Sequence, residues 1–408
     1  MFSGRESLSR RRFLRSALLA GAAGVLTPWL SLADDTIMMP FANGQRRLVT
    51  FPQKKPLILL TSRPPQLETP FSVFNKGIMT PNDEFFVRYH LAGIPTSVDT
   101  DTFRVEVKGN VKTPLSLSLK DLRSQFDSVE LIAVIQCSGN GRGFSVPRVP
   151  GGQSGNGTMG NARWKGVRLK DILNKAGVAA DAKQVSFRGL DRPVLEATPA
   201  FGKSLDVNHA MDGEVMVAYE MNGTELPMLN GFPLRLIVPG CYGTYWVKHL
   251  HEINVLDQDF DSFWMNTAYR VPDNDCECVP PGTTPAKTRP IGRYNVRSFV
   301  TSLADGDKIT VGKTLTIRGI AFDGGYGIDS VQFSSDDGKS WKEAKLGHNY
   351  GKYSFREWTY HFAPQTAGNY QFQCCAVNMK GETQPRELRW NPSGYMRNVI
   401  ETVNVSAS

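Results

Sequence analysis

The sequence predicts an α+β chain of two domains, in which a mixed α/β domain precedes an all-β sandwich of immunoglobulin-like size. The length of 408 residues suits two to three domains. Strand and helix patterns mix at residues 81–273, whereas residues 292–408 contain short β runs separated by turn clusters. Because 40% of the residues are hydrophobic and 21% are charged, the composition excludes a disordered, collagenous or coiled-coil protein.

The N-terminal segment, residues 1–33, has the pattern of a twin-arginine export signal. An arginine run at residues 10–12 is followed by Phe-Leu, an apolar stretch and small residues before a cleavage site after Ala33. Glycines and Pro28 interrupt the apolar stretch, so we expect no permanent membrane span. The alternative is a basic tail beside an uncleaved anchor. Since this route exports folded proteins, often with an inserted cofactor, we expect a periplasmic protein that carries a cofactor.

The charge distribution gives no support to a nucleic-acid partner. The signal contributes +4 of the net charge of +8, and no run of Lys and Arg with interleaved aromatic residues follows it. We therefore expect a weakly basic mature chain that does not bind nucleic acid.

The six cysteines exclude a zinc ribbon and covalent haem attachment, because none of them forms a Cys-x-x-Cys pair. Any haem must therefore lie on another chain. We expect Cys276 and Cys278 to form a disulfide with a partner elsewhere. Adjacent Cys374 and Cys375 cannot both face one side of a strand, so the sequence leaves the connectivity open.

The elements before the second domain follow from local patterns. Residues 34–80 are rich in proline and predict an irregular, extended arm that wraps the body. The first domain contains these predicted elements: a strand at residues 105–110, a short helix at 118–122, and a helix at 169–177 closed by Gly177.

The second domain begins after a proline-rich linker at residues 274–291. No internal repeat occurs in the sequence. The predicted strands of residues 292–408 are 308–311, 315–322, 330–334, 370–377 and 399–405.

Two segments of the first domain carry reactive side chains. In residues 83–90, alternation along a strand places Arg88 and His90 on one side, although such a pair is more often a surface feature. In residues 135–143, an apolar strand leads into a loop of small residues with Cys137, and Arg142 follows five positions later. A thiolate is a soft ligand for a transition metal, and a nearby cation favours the thiolate. The alternative for Cys137 is a small buried hydrophobic residue.

A distinctive order of short motifs connects these segments with the rest of the chain. The motifs are FVRYH at residues 86–90, QCSGNGR at 136–142, AYEMNG at 218–223, GFPLRLIVPG at 231–240 and VKHL at 247–250. In this order they resemble the sulfite oxidase family, from about Pro81 to Ser406. Residues 356–358 and 391–395 resemble the carboxy-terminal dimerisation domain of that family. Residues 266–273, the following Cys-x-Cys and residues 293–298 are most similar to periplasmic bacterial sulfite dehydrogenases.

The resemblance implies a molybdenum ion held by the Cys137 sulfur and by a single molybdopterin, a pyranopterin dithiolene. Sulfite is a small anion near neutral pH, and arginines can grip two of its oxygens at once. The implied catalytic residues are Arg88, His90, Arg142, Tyr269 and Arg356, the last contributed by the second domain. The implied cofactor-binding residues are Phe86, Val87, Arg88, Tyr89, His90, Asp191, Asn230, Arg235, Trp246, Val247 and Lys248.

Within this set, Arg235 and Lys248 are the expected phosphate partners, and main-chain groups of Trp246 and Val247 are expected to help. The chain departs from the animal pattern at Asn230, where a histidine is usual, and at Tyr245, where an arginine is usual. The tryptophan that lines the substrate pocket in the family has no clear counterpart between Arg142 and Trp164. Asn230 can still form hydrogen bonds.

The resemblance further implies oxidation of sulfite to sulfate with oxygen from water, and transfer of electrons to a c-type cytochrome. It implies a homodimer, or a heterodimer with a cytochrome subunit. Two alternatives stay open: a related sulfur chemistry on the same fold, such as the sulfane dehydrogenase subunit of thiosulfate oxidation or a methionine sulfoxide reductase, and a cofactor-free protein whose sandwich domain recruits a partner.

Overall fold

The computed structural model describes residues 31–408, and their side chains from Asp35 onward. The predicted export signal lies outside the described residues except for its last three positions. No helix of residues 31–408 is long and apolar enough to cross a membrane.

The proline-rich arm forms a sheet, which corrects the expectation of an irregular segment. Its five antiparallel strands lie in sequence order: β1 (Ser31–Met38), β2 (Gln45–Thr50), β3 (Leu57–Thr61), β4 (Gln66–Glu68) and β5 (Val87–Arg88). The prolines occupy the turns, at positions 52, 56, 64 and 65, where a missing N–H costs no ladder bond. Val49, Leu57, Leu67 and Val87 form a small core that fixes this sheet.

The first domain is mostly sheet, with a few short helices. One sheet has the order β11-β10-β15-β6-β7, and the other has the order β13-β12-β9-β8, with β14 paired to β12. The strand bounds are β6 (Val105–Gly109), β7 (Leu115–Leu117), β8 (Ser128–Gln136), β9 (Met159–Arg168), β10 (Gln184–Gly189), β11 (Lys203–Asp206), β12 (Met216–Met221), β13 (Thr224–Glu225), β14 (Arg235–Ile237) and β15 (Leu250–Leu256).

The helices are α1 (Leu119–Gln125), α2 (Leu169–Ala176), α3 (Val207–Ala210) and α4 (Phe263–Asn266). Both predicted helices are confirmed, with their caps. Ser118 and Asp121 form a reciprocal capping box at the start of α1. Gly177, at φ +71°, ends α2 in the left-handed conformation that a glycine adopts without strain.

A two-stranded hairpin, β16 (Arg270–Pro272) and β17 (Thr288–Pro290), spans the predicted linker. Within it Cys276 and Cys278 form a disulfide with each other, so the expectation of a partner elsewhere is wrong. The domain boundaries themselves stay predictions.

The second domain contains two sheets around one core, with the orders β18-β20-β24-β23 and β19-β26-β25-β21-β22. Trp358 and Phe333 lie in that core. Cys374 is buried there and Cys375 faces the other side, as the alternation requires. The predicted β runs are confirmed within a few residues, and the immunoglobulin-like assignment stays a prediction. The bounds are β18 (Arg297–Val300), β19 (Lys308–Ile309), β20 (Leu315–Phe322), β21 (Ile328–Ser334), β22 (Lys342–Glu343), β23 (Lys345–Leu346), β24 (Arg356–Phe362), β25 (Gly368–Asn378) and β26 (Thr402–Ala407).

Candidate functional site

Cys137 is the first residue after β8, where the buried apolar strand opens into a loop. Its N–H donates to the carbonyl of Thr158 on the neighbouring chain segment (2.9 Å), and its own carbonyl accepts from the N–H of Asn140 (3.0 Å). The side chain of Asn140 in turn accepts from the N–H of Thr158. These bonds turn the chain sharply and hold the Cys137 side chain at the wall of two adjoining cavities.

The first cavity has an empty volume of about 580 Å³ and brings most of the predicted cofactor residues together. Its lining includes Phe86, Arg88, Tyr89, His90, Cys137, Asp191, Arg235, Trp246, Lys248 and Tyr269. They come from β5, the loop after β8, the end of β10, β14 and the turn before β15. The sequence therefore identified widely separated residues that the fold places around one space.

Cationic groups dominate the floor of this cavity. Arg235 is buried, which lowers its pKa to about 10, so it stays protonated at neutral pH. Burial and the neighbouring arginines Arg235 and Arg88 lower the pKa of Lys248 well below its usual range, while Asp191 opposes that shift. Because buried cations are costly without counter-charges, this floor is suited to an anionic group such as a phosphate.

Unpaired polar atoms on the cavity wall fit the same interpretation. The Ser138 hydroxyl, the Thr244 hydroxyl and the Arg235 Nε are buried and have no hydrogen-bond partner among residues 31–408. All three residues line the cavity. Such groups are expected where a bound molecule supplies the missing partners. The thiol, the hydroxyls and the cations together suit a phosphorylated pterin with a metal at the Cys137 end.

Cys137 is the candidate protein ligand for a metal in the first cavity. Residues 31–408 contain no cluster of three or more His, Cys, Asp or Glu side chains that could hold a metal by themselves. Cys137 would therefore share the ion with ligands from the cofactor, as its half-buried thiol at the cavity wall allows.

The second cavity lies on the other side of Cys137 and shares Arg88, Cys137 and Tyr269 with the first. It adds Val87, Arg142 and, from the second domain, Tyr395. The predicted catalytic cations Arg88 and Arg142 thus meet at the smaller space, which has an empty volume of about 360 Å³.

Tyr269 connects the two predicted strand residues of this site. Its hydroxyl lies 3.1 Å from Arg88 Nη2 and 2.6 Å from His90 Nε2, which confirms that Arg88 and His90 face one side. Burial raises the pKa of Tyr269, with Arg88 opposing, and burial together with Arg88 and Lys248 lowers the pKa of His90 well below its usual range. At neutral pH the Tyr269 hydroxyl and the His90 imidazole are therefore both uncharged, and they form a hydrogen bond with each other.

Arg142 is held by the second domain. Its Nε donates to the carbonyl of Ser393 (2.9 Å), and its guanidinium lies 5.1 Å from the ring centre of Tyr395. A Cβ at Gly139 would come within 2.6 Å of the Arg142 guanidinium carbon, so a glycine is required for this packing.

The predicted catalytic role of Arg356 stays a prediction. This residue begins β24, pairs with Ala321, and lines neither cavity in the described part of the chain. The segment before β24 contacts β8 at Val134, whose N–H donates to the Tyr353 carbonyl (2.9 Å). The segment before Arg356 therefore contacts β8, which precedes Cys137. Residues 391–395 instead contact the loop that follows Cys137.

Two predicted cofactor residues do not line the first cavity, and their roles in binding stay predictions. Asn230 lies behind the first cavity, where its side chain bonds Lys54 and the Phe86 carbonyl and its own carbonyl accepts from Arg235. It therefore positions cavity residues instead of lining the cavity. Val247 also lies off the lining, and its N–H and carbonyl bond Tyr245 and Leu236.

Trp246 lines the cavity, but its backbone N–H donates to the Gly243 carbonyl instead of facing a ligand. Sequence reasoning also missed Phe201, which stacks on His90 with ring centres 3.8 Å apart, and Tyr395. Tyr395 ends a motif that the sequence assigned to dimerisation alone, whereas no local pattern marks Phe201.

Comparison with known proteins places this arrangement in a family. A family model described as oxidoreductase molybdopterin binding domain matches residues 91–264, and one described as Mo-co oxidoreductase dimerisation domain matches residues 288–408. The chain is 35% identical to mitochondrial sulfite oxidase of Homo sapiens over 376 residues, which cover 88% of this chain and 67% of that protein. It is 32% identical to sulfite oxidase of Arabidopsis thaliana over 332 residues, covering 77% and 82%.

A solved structure supports the fold. The sulfane dehydrogenase SoxCD from Paracoccus pantotrophus superposes with a TM-score of 0.70 at 23% identity, covering 98% of this chain and 92% of that one. Fold and site together define a molybdopterin-binding oxidoreductase in which Cys137 lines both cavities. More specifically, the chain belongs to the sulfite oxidase family.

Proposed function

We propose that the protein is a periplasmic sulfite dehydrogenase, which oxidises sulfite to sulfate at a molybdenum centre and passes the electrons to a c-type cytochrome. Sulfite and one water give sulfate, two protons and two electrons. The observation that carries the proposal is the position of Cys137 between two cavities, one lined by polar groups and cations and the other by Arg88, Arg142 and Tyr269.

The first cavity would hold molybdenum with a single molybdopterin. Arg235 and Lys248 would bind its phosphate, Asp191 would accept from the pterin, and Cys137 would bind the metal. When bound, this cofactor supplies oxygen-atom transfer and two-electron redox chemistry.

The second cavity would hold the substrate. Arg88 and Arg142 offset the charge of the sulfite oxygens through directed N–H groups, which leaves the sulfur lone pair free to face the Cys137 side. Since Arg142 is anchored to the Ser393 carbonyl, it is fixed before substrate arrives, and this preorganisation favours binding. The hydrogen bond between Tyr269 and His90 holds a proton next to the reacting oxygens.

Relatives named sulfite oxidase support sulfite as the substrate. The export pattern at residues 1–33 supports the periplasm, and the resemblance of residues 266–273 to bacterial periplasmic enzymes supports a cytochrome acceptor. The match to a dimerisation domain at residues 288–408 supports a homodimer, with a heterodimer with a cytochrome subunit as the other arrangement. Family membership favours an enzyme over a cofactor-free binding protein.

The test is sulfite-dependent reduction of ferricytochrome c by purified mature protein that has been shown to contain molybdenum. Turnover with sulfite supports the proposal. Turnover with ferricyanide but not with cytochrome c would contradict the acceptor alone. If molybdenum-loaded protein reduces neither acceptor, sulfite is not the substrate, and thiosulfate-derived sulfane sulfur becomes the next compound to assay.

A further inference from the structure

The second domain contributes one side chain to the wall of the second cavity, which is called the anion cavity from here on. Tyr395 lies in the segment between β25 and β26, and it lines that cavity together with Arg88, Arg142 and Cys137. We propose that Tyr395 is a specificity-determining residue, whose ring sets the size of the anion that can reach Cys137. This inference rests on the proposed function, because it assigns the substrate limit of the same site.

The ring of Tyr395 is fixed between two residues of the site. It stacks on the ring of Tyr269 with centres 5.4 Å apart and planes 10° from parallel. The Arg142 guanidinium lies 5.1 Å from the centre of the same ring, within the range of a cation–π contact. Any displacement of Tyr395 would therefore disturb both a predicted catalytic tyrosine and a predicted anion-binding arginine.

The backbone that carries Tyr395 is equally constrained. The Asn391 side chain accepts from the N–H groups of Ser393 and Tyr395 and donates to the Tyr395 carbonyl (3.3, 3.1 and 2.9 Å). The next residue, Met396, donates its N–H to the Ser138 carbonyl beside Cys137 (3.1 Å). The segment that carries the ring is therefore bonded directly to the loop that carries Cys137.

Gly394 shows how closely this segment approaches the first domain. Its φ is +58°, and a Cβ there would come within 2.6 Å of Val149 and 3.0 Å of Arg142. No other residue fits this approach without displacing one of them.

The chemical consequence concerns the group attached to sulfur. Sulfite presents three oxygens and a bare lone pair, and fits a small pocket with two guanidinium groups. A sulfur anion with a further sulfur atom, such as thiosulfate, needs space where the Tyr395 ring stands. The ring also lies within cation–π range of Arg142, which helps to hold that guanidinium at the cavity wall.

The experiment compares Tyr395→Ala, Tyr395→Leu and Tyr395→Phe in the molybdenum-loaded enzyme, with Tyr350→Ala as the matched control. Tyr350 is 39% exposed, and its aromatic contact is with His348, away from the cavities. Two quantities are measured: kcat/KM for sulfite and for thiosulfate with ferricyanide, and the Kd for sulfate by calorimetry, which needs no turnover. Molybdenum content per chain and circular dichroism establish that each variant is folded and loaded. Tyr395→Leu keeps apolar volume if the alanine variant does not fold.

We expect Tyr395→Ala and Tyr395→Leu to weaken sulfate binding about tenfold, equivalent to about 1.4 kcal/mol, and to shift the ratio of the two kcat/KM values towards thiosulfate. Tyr395→Phe should keep the wild-type ratio, and Tyr350→Ala should leave both quantities unchanged. An unchanged ratio and an unchanged sulfate Kd in folded alanine or leucine variants overturn the inference. Absence of sulfite turnover in the wild type overturns the proposed function instead, so the two failures are distinguishable.

Discussion

The two cavities that meet at Cys137 are built in different ways. Among residues 31–408, no residue of the second domain lines the first, cofactor cavity, and its charged groups are tied to neighbours within the first domain, as Arg235 is to the Asn230 carbonyl. The second, anion cavity shares Arg88 and Tyr269 with the first and adds residues of the N-terminal arm and Tyr395 of the second domain. Substrate recognition therefore depends on how the second domain packs against the first, whereas cofactor retention does not depend on a second-domain side chain.

The largest expected effect comes from the residue that both cavities share. Cys137→Ser removes the soft ligand and should lower sulfite turnover by more than about 100-fold, beyond the loss typical of an outer-shell change. The measurement is turnover together with molybdenum per chain. Full activity in a molybdenum-loaded serine variant would contradict the ligand assignment.

A change on the anion side alone should separate the two cavities. Arg142→Ala loses a charge-assisted contact worth about 1.5–3 kcal/mol and should lower kcat/KM for sulfite about 10- to 100-fold. Molybdenum content should stay at the wild-type value, because Arg142 does not line the cofactor cavity.

Arg142→Lys keeps the charge without the Nε bond to Ser393 and is expected to fall between wild type and alanine. Loss of molybdenum in either variant would contradict the separation between the two cavities.

The contribution of the arm to stability can be measured from the pH dependence of the free energy of unfolding. Glu68 is buried and accepts from the N–H groups of Gly155 and Gly157 (2.9 and 2.8 Å). Burial raises its pKa from 4.5 to about 7, with the two N–H donors opposing.

A raised carboxyl pKa means that its stabilisation is complete below pH 4.5 and is lost as the pH rises through about 7. We expect the free energy of unfolding of wild type to fall, relative to Glu68→Gln, by on the order of 3 kcal/mol across that range. Parallel pH profiles for the two proteins would contradict this assignment.

The smallest expected effect lies away from both cavities. Ser118→Ala removes the capping box of α1 and should cost about 1 kcal/mol, or about 2–4 °C in Tm. Its kcat/KM for sulfite should equal the wild-type value. A changed KM would show that the sheet carrying Cys137 responds to distant helix stability, which the comparison of the two cavities does not allow.

Features with a local cause could be predicted from the sequence. Ser118 marks the start of α1 through side-chain capping, and Gly177 marks the end of α2 because glycine readily adopts a positive φ. The loop at Cys137 could be predicted because an apolar strand there ends in small residues. The strands of the arm were missed because prolines in the turns interrupt the sequence. Each strand is therefore too short to show a clear alternation of apolar residues, although Val49 and Leu57 are apolar and buried.

The second-domain residue that lines the anion cavity was missed for a different reason. Whether Arg356 or Tyr395 reaches the anion cavity depends on how two domains pack, and no periodicity within either segment contains that information. The same holds for Phe201, which lies outside the recognisable motifs and reaches His90 through the fold alone.

The bond between Arg142 and Ser393 joins positions 251 residues apart in the chain. During synthesis, every residue that lines the cofactor cavity, up to Tyr269, has left the ribosome more than a hundred residues before Ser393 does. Domains fold in order as they emerge. The cofactor cavity of the nascent protein can therefore form before the second-domain wall of the anion cavity has been synthesised. The order of translation thus matches the order in which the cofactor and the substrate must bind.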